Sequence, residues 1–321
     1  MNNFWNDYAQ LSNELITVNN VISKNLKSRN KTMQAALSEL LSSGGKFLRP
    51  AFVLISHGFG EVRSKDIHTL AAVLEMIHMA TLVHDDVIDE ATLRRGNETI
   101  QHKYGKNFAV YVGDYLFCLC FNLLSKIESV KNTEMDAMAM ARICIGEIDQ
   151  FESRFKSDVT VKEYLRRISY KTAELFSLSF YTGAIEGKCD KKLTRKLTNI
   201  GHNIGMAFQI IDDLLDFFGD EKTVGKPVCS DLKQGLYTLP VIYGFQTKDE
   251  RLMELLSKGN FDDDNIKEII SILSENGCFE RTRKLAHTYT EKAFKLINTL
   301  PDCDSKIVLI SLTNKLLNRE N

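Results

Sequence analysis

Proline is almost absent from this chain, and its few positions limit what the chain can form. The four prolines are Pro50, Pro227, Pro240 and Pro301, and none interrupts the run between Pro50 and Pro227. Proline breaks a helix interior but is tolerated in a first turn or just past an end. The proline-free stretches therefore leave room for long helices, and the hydrophobic spacing fills them. In 70-LAAVLEMIHMATLVHDDVIDEATLRR-95, Leu70, Leu74, Ile77, Thr81, Asp85 and Asp89 recur at three- and four-residue steps, the period of one helix face. The segment 192-KLTRKLTNIGHNIGMAFQIIDDLLDFF-218 repeats the pattern. No alternation of β-branched and polar residues extends over a useful length. The reading is an all-α chain of ten or more helices. Its loops are marked by 42-SSGGKFLRP-50, 94-RRGNET-99, 219-GDEKTVGKPVCSD-231 and 257-SKGNFDDD-264. No linker divides it, so residues 1–321 read as a single domain.

Composition removes several function classes. With 321 residues, 44% hydrophobic, 26% charged and a formal net charge of −1, the chain is globular and carries no basic footprint for nucleic acid. The seven cysteines are scattered, and Cys118–Cys120 alone is weak as a metal site, so they read as reduced thiols. The stretch MNNFWNDYAQLSNELI lacks the basic start and apolar run of a signal peptide. No apolar segment is read as long enough to span a bilayer. The expectation is a cytoplasmic protein with at most peripheral membrane contact. There is no Walker A motif, and no GxGxxG precedes a helix, so nucleotide binding is unsupported.

Two aspartate groups carry the chemistry. In 82-LVHDDVIDEATLRRG-96, Asp85 and Asp89 stand one helical turn apart on one face, with Asp86 beside them. In 209-QIIDDLLDFFGD-220, Asp212, Asp213 and Asp216 repeat the arrangement. One such group alone reads better as a solvated helix end. Two copies, each ending an apolar helix, read as oxygen ligands for Mg²⁺, which takes a few carboxylates plus substrate phosphates. Basic residues supply the other half: Lys46 and Arg49 after Gly44 and Gly45, Arg94 and Arg95 beyond the first group, Lys171 with Thr172, and Lys226 after the second. As a set they suit a phosphorylated substrate.

At these residues the sequence resembles the trans-isoprenyl diphosphate synthases, or polyprenyl synthetases. LVHDDVIDEATLRRG is similar to the family's first aspartate-rich motif and FQIIDDLLDF to its second. Segments GGKxxRP, ExIHxxxLVHDD, GDYL, GExxQ, KT and GKPxxSDLxxGxxTLP follow in the family's order from Gly44 to Pro240. LEMIHMATLVHDDVID and YLRRISYKTA look like the heptaprenyl subgroup, in particular its large catalytic component. The resemblance implies an antiparallel helical bundle around a deep apolar cavity. It also implies successive 1'-4 condensation of isopentenyl diphosphate onto an allylic diphosphate such as farnesyl diphosphate, with about three Mg²⁺ ions activating the leaving group.

By resemblance, Asp85, Asp89 and Asp212 are metal ligands, with Asp86 and Asp216 in the metal shell or just outside it. Asp85, Asp89, Lys171 and Asp212 form the catalytic set. Arg94, Lys171, Thr172, Gln209 and Lys226 would hold the allylic diphosphate, and Lys46, Arg49, His78 and Arg95 isopentenyl diphosphate. His78 reads equally as a core histidine, and Glu147 and Gln150 equally as cavity or structural residues. Two departures stand out: Phe47 replaces a usual second basic residue, and Leu236 stands where shorter-chain members often have lysine. Product length in the family depends on side chains beneath the first motif. Ala80 and Thr81, one turn before Asp85, are small, which implies an open floor and a product of about six or seven isoprene units or longer, each added unit burying more apolar surface. Such a product would serve a respiratory quinone such as menaquinone.

A plain helical interaction protein would have no reason to place two such aspartate groups with matching basic residues. A short-chain farnesyl or geranylgeranyl synthase is opposed by Ala80 and Thr81. A terpene cyclase would not need the isopentenyl set, and a non-catalytic subunit would tend to lose the aspartates. The family is dimeric, and the heptaprenyl-like features favour a heterodimer with a small regulatory subunit over a homodimer.

Overall fold

The computed structural model describes residues 3–94, 96–127, 130–218, 229–259 and 261–317. Helices dominate, as the proline spacing allows and the hydrophobic periodicity predicts. Pro50 is the third residue of α3 (Leu48–His57) and Pro240 the second of α12 (Leu239–Thr247), where a missing N–H is not needed. Pro301 follows the end of α15 (Cys278–Ile297). Pro227 lies outside the described residues. The only sheet among the described residues is a two-stranded antiparallel ladder, β1 (Leu93–Arg94) with β2 (Asn97–Glu98), within the segment expected as plain loop. Gly96, at φ +78°, makes its turn possible without Cβ strain.

Side-chain caps set several helix starts. Asn30 accepts from Met33 N–H at α2 (Lys31–Ser42), and Asp262 from Asn265 N–H at α14 (Asp263–Glu275). Thr160 and Glu163 cap reciprocally at α8 (Val161–Ile168). Such caps satisfy backbone donors that a helix leaves open at its start.

The described chain groups into two compact units. The first comprises Met1–Ala137, Leu175–Gly201 and Thr299–Ser311, and the second Met138–Glu174, His202–Asn298 and Leu312–Asn321. In the first, α4 (Ile67–Ile88) is central and packs against α1 (Ala9–Asn25), α3 and α6 (Lys106–Leu124). Leu70 to Ile77 are buried all round the helix. Phe52 stacks on Phe180 at 4.8 Å between ring centres and lies 5.5 Å from Phe176, adding aromatic contact to area burial. By length and composition α4 and α6 could each cross a bilayer, which corrects the sequence reading. Apart from the buried Glu75, the acids of α4 stand at its end, so the helix before them is largely apolar. Its apolar surface is spent on α1, α3 and α6, as expected of a core helix.

In the second unit, α8, α12, α14 and α15 meet the C-terminal half of α10 (Lys191–Phe218). Tyr164, Ile210, Leu214, Phe217, Leu239, Ile269 and Phe279 form its centre. Between α8 and α9 (Glu174–Glu186), residues Ser169–Ala173 form a π-helical turn, a local widening often found at functional sites.

Candidate active site

Both aspartate groups stand at the C-terminal ends of their helices. Asp85 and Asp86 are in the last turn of α4 and Asp89 is its C-cap, while Asp212, Asp213 and Asp216 precede the end of α10 at Phe218. In the last turn, which holds Asp85 and Asp86 of α4 and Asp216 of α10, the helix dipole disfavours anions by about 0.3–1 kcal/mol each. Acids concentrated at such an end are better placed with a cation beside them than alone.

In the first unit the three acids divide. Asp85 and Asp89 are partly exposed, whereas Asp86 is buried. Nε and Nη2 of Arg94 both lie 2.7 Å from Asp86 Oδ1. Arg94 is brought there by the hairpin, which is pinned where Thr99 Oγ1 and Gln101 Nε2 each donate to Ala91 O at 2.6 Å. Glu90 follows Asp89 in the left-handed region, at φ 51°, and pairs with Lys106.

A pocket in this unit joins Gly44, Gly45, Phe47, His78, Asp86 and Arg94. The GGKFLRP loop is shaped by two left-handed residues, Gly44 at φ 66° and Phe47 at φ 52°. A positive φ is uncommon for a bulky residue, and such strain clusters at ligand sites. Trp5 Nε1 donates to Lys46 O at 2.9 Å and steadies the loop. The Lys46 ammonium lies 5.7 Å over the Phe4 ring, and the Arg49 guanidinium 5.3 Å over Phe176. Arg95 lies outside the described residues.

In the second unit Lys171 and Thr172 occupy the π-helical turn. Lys171 Nζ donates to Glu147 Oε2 at 2.8 Å, half-buried. Gly146, the first residue of GExxQ, admits this approach: a Cβ there would lie 3.0 Å from Lys171 N. Gln150 is buried. Thr172 Oγ1 donates to Gln209 Oε1 at 2.6 Å, and Gln209 Nε2 to Asp213 Oδ1 at 2.7 Å. Asp212 is exposed and Asp213 buried. Asp216 accepts from the backbone N–H groups of Ser230 and Asp231 at 3.3 Å, fixing the start of α11 (Ser230–Lys233). Burial, with the Asp231 charge next, pushes the Asp213 carboxyl up to about 7, against hydrogen bonds from Tyr164 and Gln209 that favour its ionised form. Lys226 lies outside the described residues.

Among the described residues, no three acidic, histidine or cysteine side chains converge into a ready-made metal cage. The partly exposed Asp85 and Asp89 in the first unit, and the exposed Asp212 in the second, are each of the ligand type that suits Mg²⁺, which keeps waters and binds through few carboxylates plus phosphate. The polyprenyl synthetase family model matches residues 30–273. The chain belongs to the polyprenyl synthetase family. As a polyprenyl synthetase it is a prenyltransferase. It is 37% identical over 307 residues to heptaprenyl diphosphate synthase component 2 of Geobacillus stearothermophilus, covering 95% of both chains. The heptaprenyl diphosphate synthase structure from Staphylococcus aureus aligns at TM-score 0.91 and 39% identity, over 97% of this chain and 99% of that one. A Caulobacter crescentus polyprenyl synthase, complexed with calcium and isoprenyl diphosphate, aligns at TM-score 0.92 and 30% identity, over 98% and 97%.

Around these positions the synthetase also places residues to which the sequence reading gave no role. Tyr164 OH donates to Asp213 Oδ2 at 2.6 Å. Glu75, one turn before His78, lines the first pocket and is buried; its three-residue spacing from His78 was the available signal. Gly113 of GDYL admits His84, whose Nε2 would stand 2.2 Å from a Cβ there.

Proposed function

We propose that this chain elongates an allylic diphosphate, such as farnesyl diphosphate, with isopentenyl diphosphate to a hexaprenyl or heptaprenyl diphosphate for a quinone side chain. The observation that carries the reading is the division of the first acid group. Asp85 and Asp89 stand partly exposed, while Asp86 orders Arg94 beside the pocket that holds His78. Similarity to heptaprenyl synthases supports the product class.

Asp85, Asp89 and Asp212 would hold Mg²⁺, with Asp86 and Asp216 just outside the ligand set because they serve Arg94 and α11. When bound, the metal supplies Lewis-acid pull on the departing diphosphate. Arg94, Lys171, Thr172, Gln209 and Lys226 grip the allylic diphosphate; Lys46, Arg49, His78 and Arg95 grip isopentenyl diphosphate. Positioning does most of the work, since the substrates carry the reacting groups. The C1–O bond breaks, the C3–C4 double bond of isopentenyl diphosphate attacks the allylic cation, and the released pyrophosphate takes the proton. Ala80, fully buried, and Thr81, whose hydroxyl donates to His78 O at 2.9 Å, form the small-residue floor.

The enzyme acts as a dimer, preferably with a small dissimilar subunit. Supporting this, α6 leaves Val110, Tyr111 and Phe121 exposed, and α7 (Val130–Glu152) leaves Met138, Ile145 and Ile148 exposed at helical spacing. We place it in the cytoplasm, in at most peripheral contact with membrane.

The test is incubation of the purified chain with farnesyl diphosphate, labelled isopentenyl diphosphate and Mg²⁺, followed by sizing of the dephosphorylated products. A polyprenol of about 30–35 carbons, as burial of six or seven units demands, supports the reading. Inactivity both alone and with the small subunit of a heptaprenyl synthase refutes it. An active homodimer refutes the heterodimer alone.

A further inference from the structure

Tyr164, Asp213, Gln209 and Thr172 form one hydrogen-bonded chain. Tyr164 OH donates to Asp213 Oδ2 at 2.6 Å, Gln209 Nε2 to Asp213 Oδ1 at 2.7 Å, and Thr172 Oγ1 to Gln209 Oε1 at 2.6 Å. It runs from the core to the edge of the site: Tyr164 is fully buried, Asp213 buried, and Gln209 partly exposed. The inner end is braced. The Arg167 guanidinium lies 5.5 Å from the Tyr164 ring centre and donates to Ser153 Oγ at 2.9 Å and Tyr237 O at 3.0 Å.

The consequence lies in the chemistry of the amide. A glutamine side chain has an oxygen that only accepts and a nitrogen with two N–H donors, and the two ends have nearly the same shape. Which end faces which way is decided by its neighbours. The ionised Asp213 carboxylate, the form that the Tyr164 and Gln209 hydrogen bonds favour, selects: the nitrogen faces it, because an oxygen there would set acceptor against acceptor. The Tyr164 hydroxyl on the other carboxylate oxygen stops the carboxylate plane from turning away. Thr172 completes the selection by directing its proton at Gln209 Oε1. One Gln209 N–H is spent on Asp213, and the second remains to donate.

We propose that Tyr164 and Asp213 are positioning residues that hold Gln209 with an amide N–H, not its oxygen, presented to the allylic diphosphate. This rests on the substrate site proposed above. A diphosphate only accepts hydrogen bonds, so a flipped amide would repel it. The same chain changes the part given to Thr172 above: its one proton is turned to Gln209, so it orients the amide and does not itself donate to the diphosphate.

The test is the KM for each substrate, measured in the complete enzyme, with any partner subunit it requires. Tyr164→Phe keeps the ring and removes one hydroxyl. It should raise the KM for the allylic diphosphate about five- to tenfold, the worth of roughly one hydrogen bond, and leave that for isopentenyl diphosphate unchanged. Asp213→Asn, which can offer its own NH₂ to the glutamine oxygen and permit the flip, should raise the same KM at least as much. Gln209→Glu removes both N–H donors at constant shape, and in that background Tyr164→Phe should have no further effect on either KM. A melting-temperature loss in Tyr164→Phe and Asp213→Asn with both KM values unchanged overturns the proposal, and so does an equal KM effect of Tyr164→Phe with and without Gln209→Glu. If the wild-type enzyme incorporates no isopentenyl diphosphate, the functional reading fails first and the proposal with it.

Discussion

Arg94 meets Asp86 through two nitrogens, Nε and Nη2, each 2.7 Å from the same carboxylate oxygen. The Asp86 side chain is 8% exposed and that of Arg94 26%, so the pair orients the guanidinium from the protein side. Two of five N–H donors are used, and a planar fork keeps the rest in fixed directions. Arg94→Lys keeps the charge but loses the fork. The expected outcome is about a tenfold rise in KM for the allylic diphosphate, equivalent to ~1.4 kcal/mol, with a smaller rise for Asp86→Asn. Steady-state kinetics check this; an Arg94→Lys enzyme with wild-type KM would show that Arg94 serves Asp86 alone.

Gly146 and Lys171 offer a second lever. A Cβ on Gly146 would stand 3.0 Å from both Lys171 N and Tyr170 Cβ, so Gly146→Ala pushes the π-helical turn away from α7. Overpacking of this kind costs about 1–3 kcal/mol. The melting temperature should fall, and kcat/KM should fall more than tenfold as Lys171 leaves Glu147, by an amount on the order of 1.4 kcal/mol or more. Lowered stability with intact kinetics would mean that the turn adjusts without moving Lys171.

What the sequence made legible was the local part. The spacing of Asp85 and Asp89 and of Asp212 and Asp216 follows from helical period, and both helices end near these acids as read. Periodicity could not say that Asp86 would turn inward to Arg94, that Asp213 would be buried on Tyr164, or that Asp216 would anchor Ser230 and Asp231. Each of those partners comes from another element, where no periodic signal links the residues. Gly113 and Gly146 could be quoted as motif letters, but only packing explains them, through His84 and the Tyr170–Lys171 backbone. Glu147, left open between cavity and structural roles, takes the Lys171 ammonium.

The small residues beneath the first acid group predict how to shorten the product. Ala80 is fully buried, so a larger side chain there must displace its neighbours, whereas Thr81 is partly exposed. Thr81→Phe should shorten the product by one or more isoprene units at little cost to stability. Ala80→Phe should shorten it too, while losing about 1–3 kcal/mol. Chromatographic sizing of the prenyl alcohols checks both, and unchanged length in both variants would move the floor elsewhere.

Asp136 predicts a pH dependence of stability away from the acid groups. It is buried, and its Oδ1 has no hydrogen-bond partner among the described residues. Burial pushes its carboxyl up to about 7 from 3.8. The thiol of Cys120, whose charge it would oppose, is itself pushed up to about 12 and stays neutral in this range. A raised carboxylate pKa means that the folded protein holds the proton more tightly than the unfolded chain. Stability is therefore undiminished below about pH 4, falls as pH rises towards 7, and is lowest above it, by up to about 4 kcal/mol. Asp136→Asn removes the titration. Its melting temperature relative to wild type should rise between pH 4 and pH 8, whatever constant offset the amide introduces. A difference in melting temperature that stays flat across that window would show that Asp136 finds a charge partner in solution.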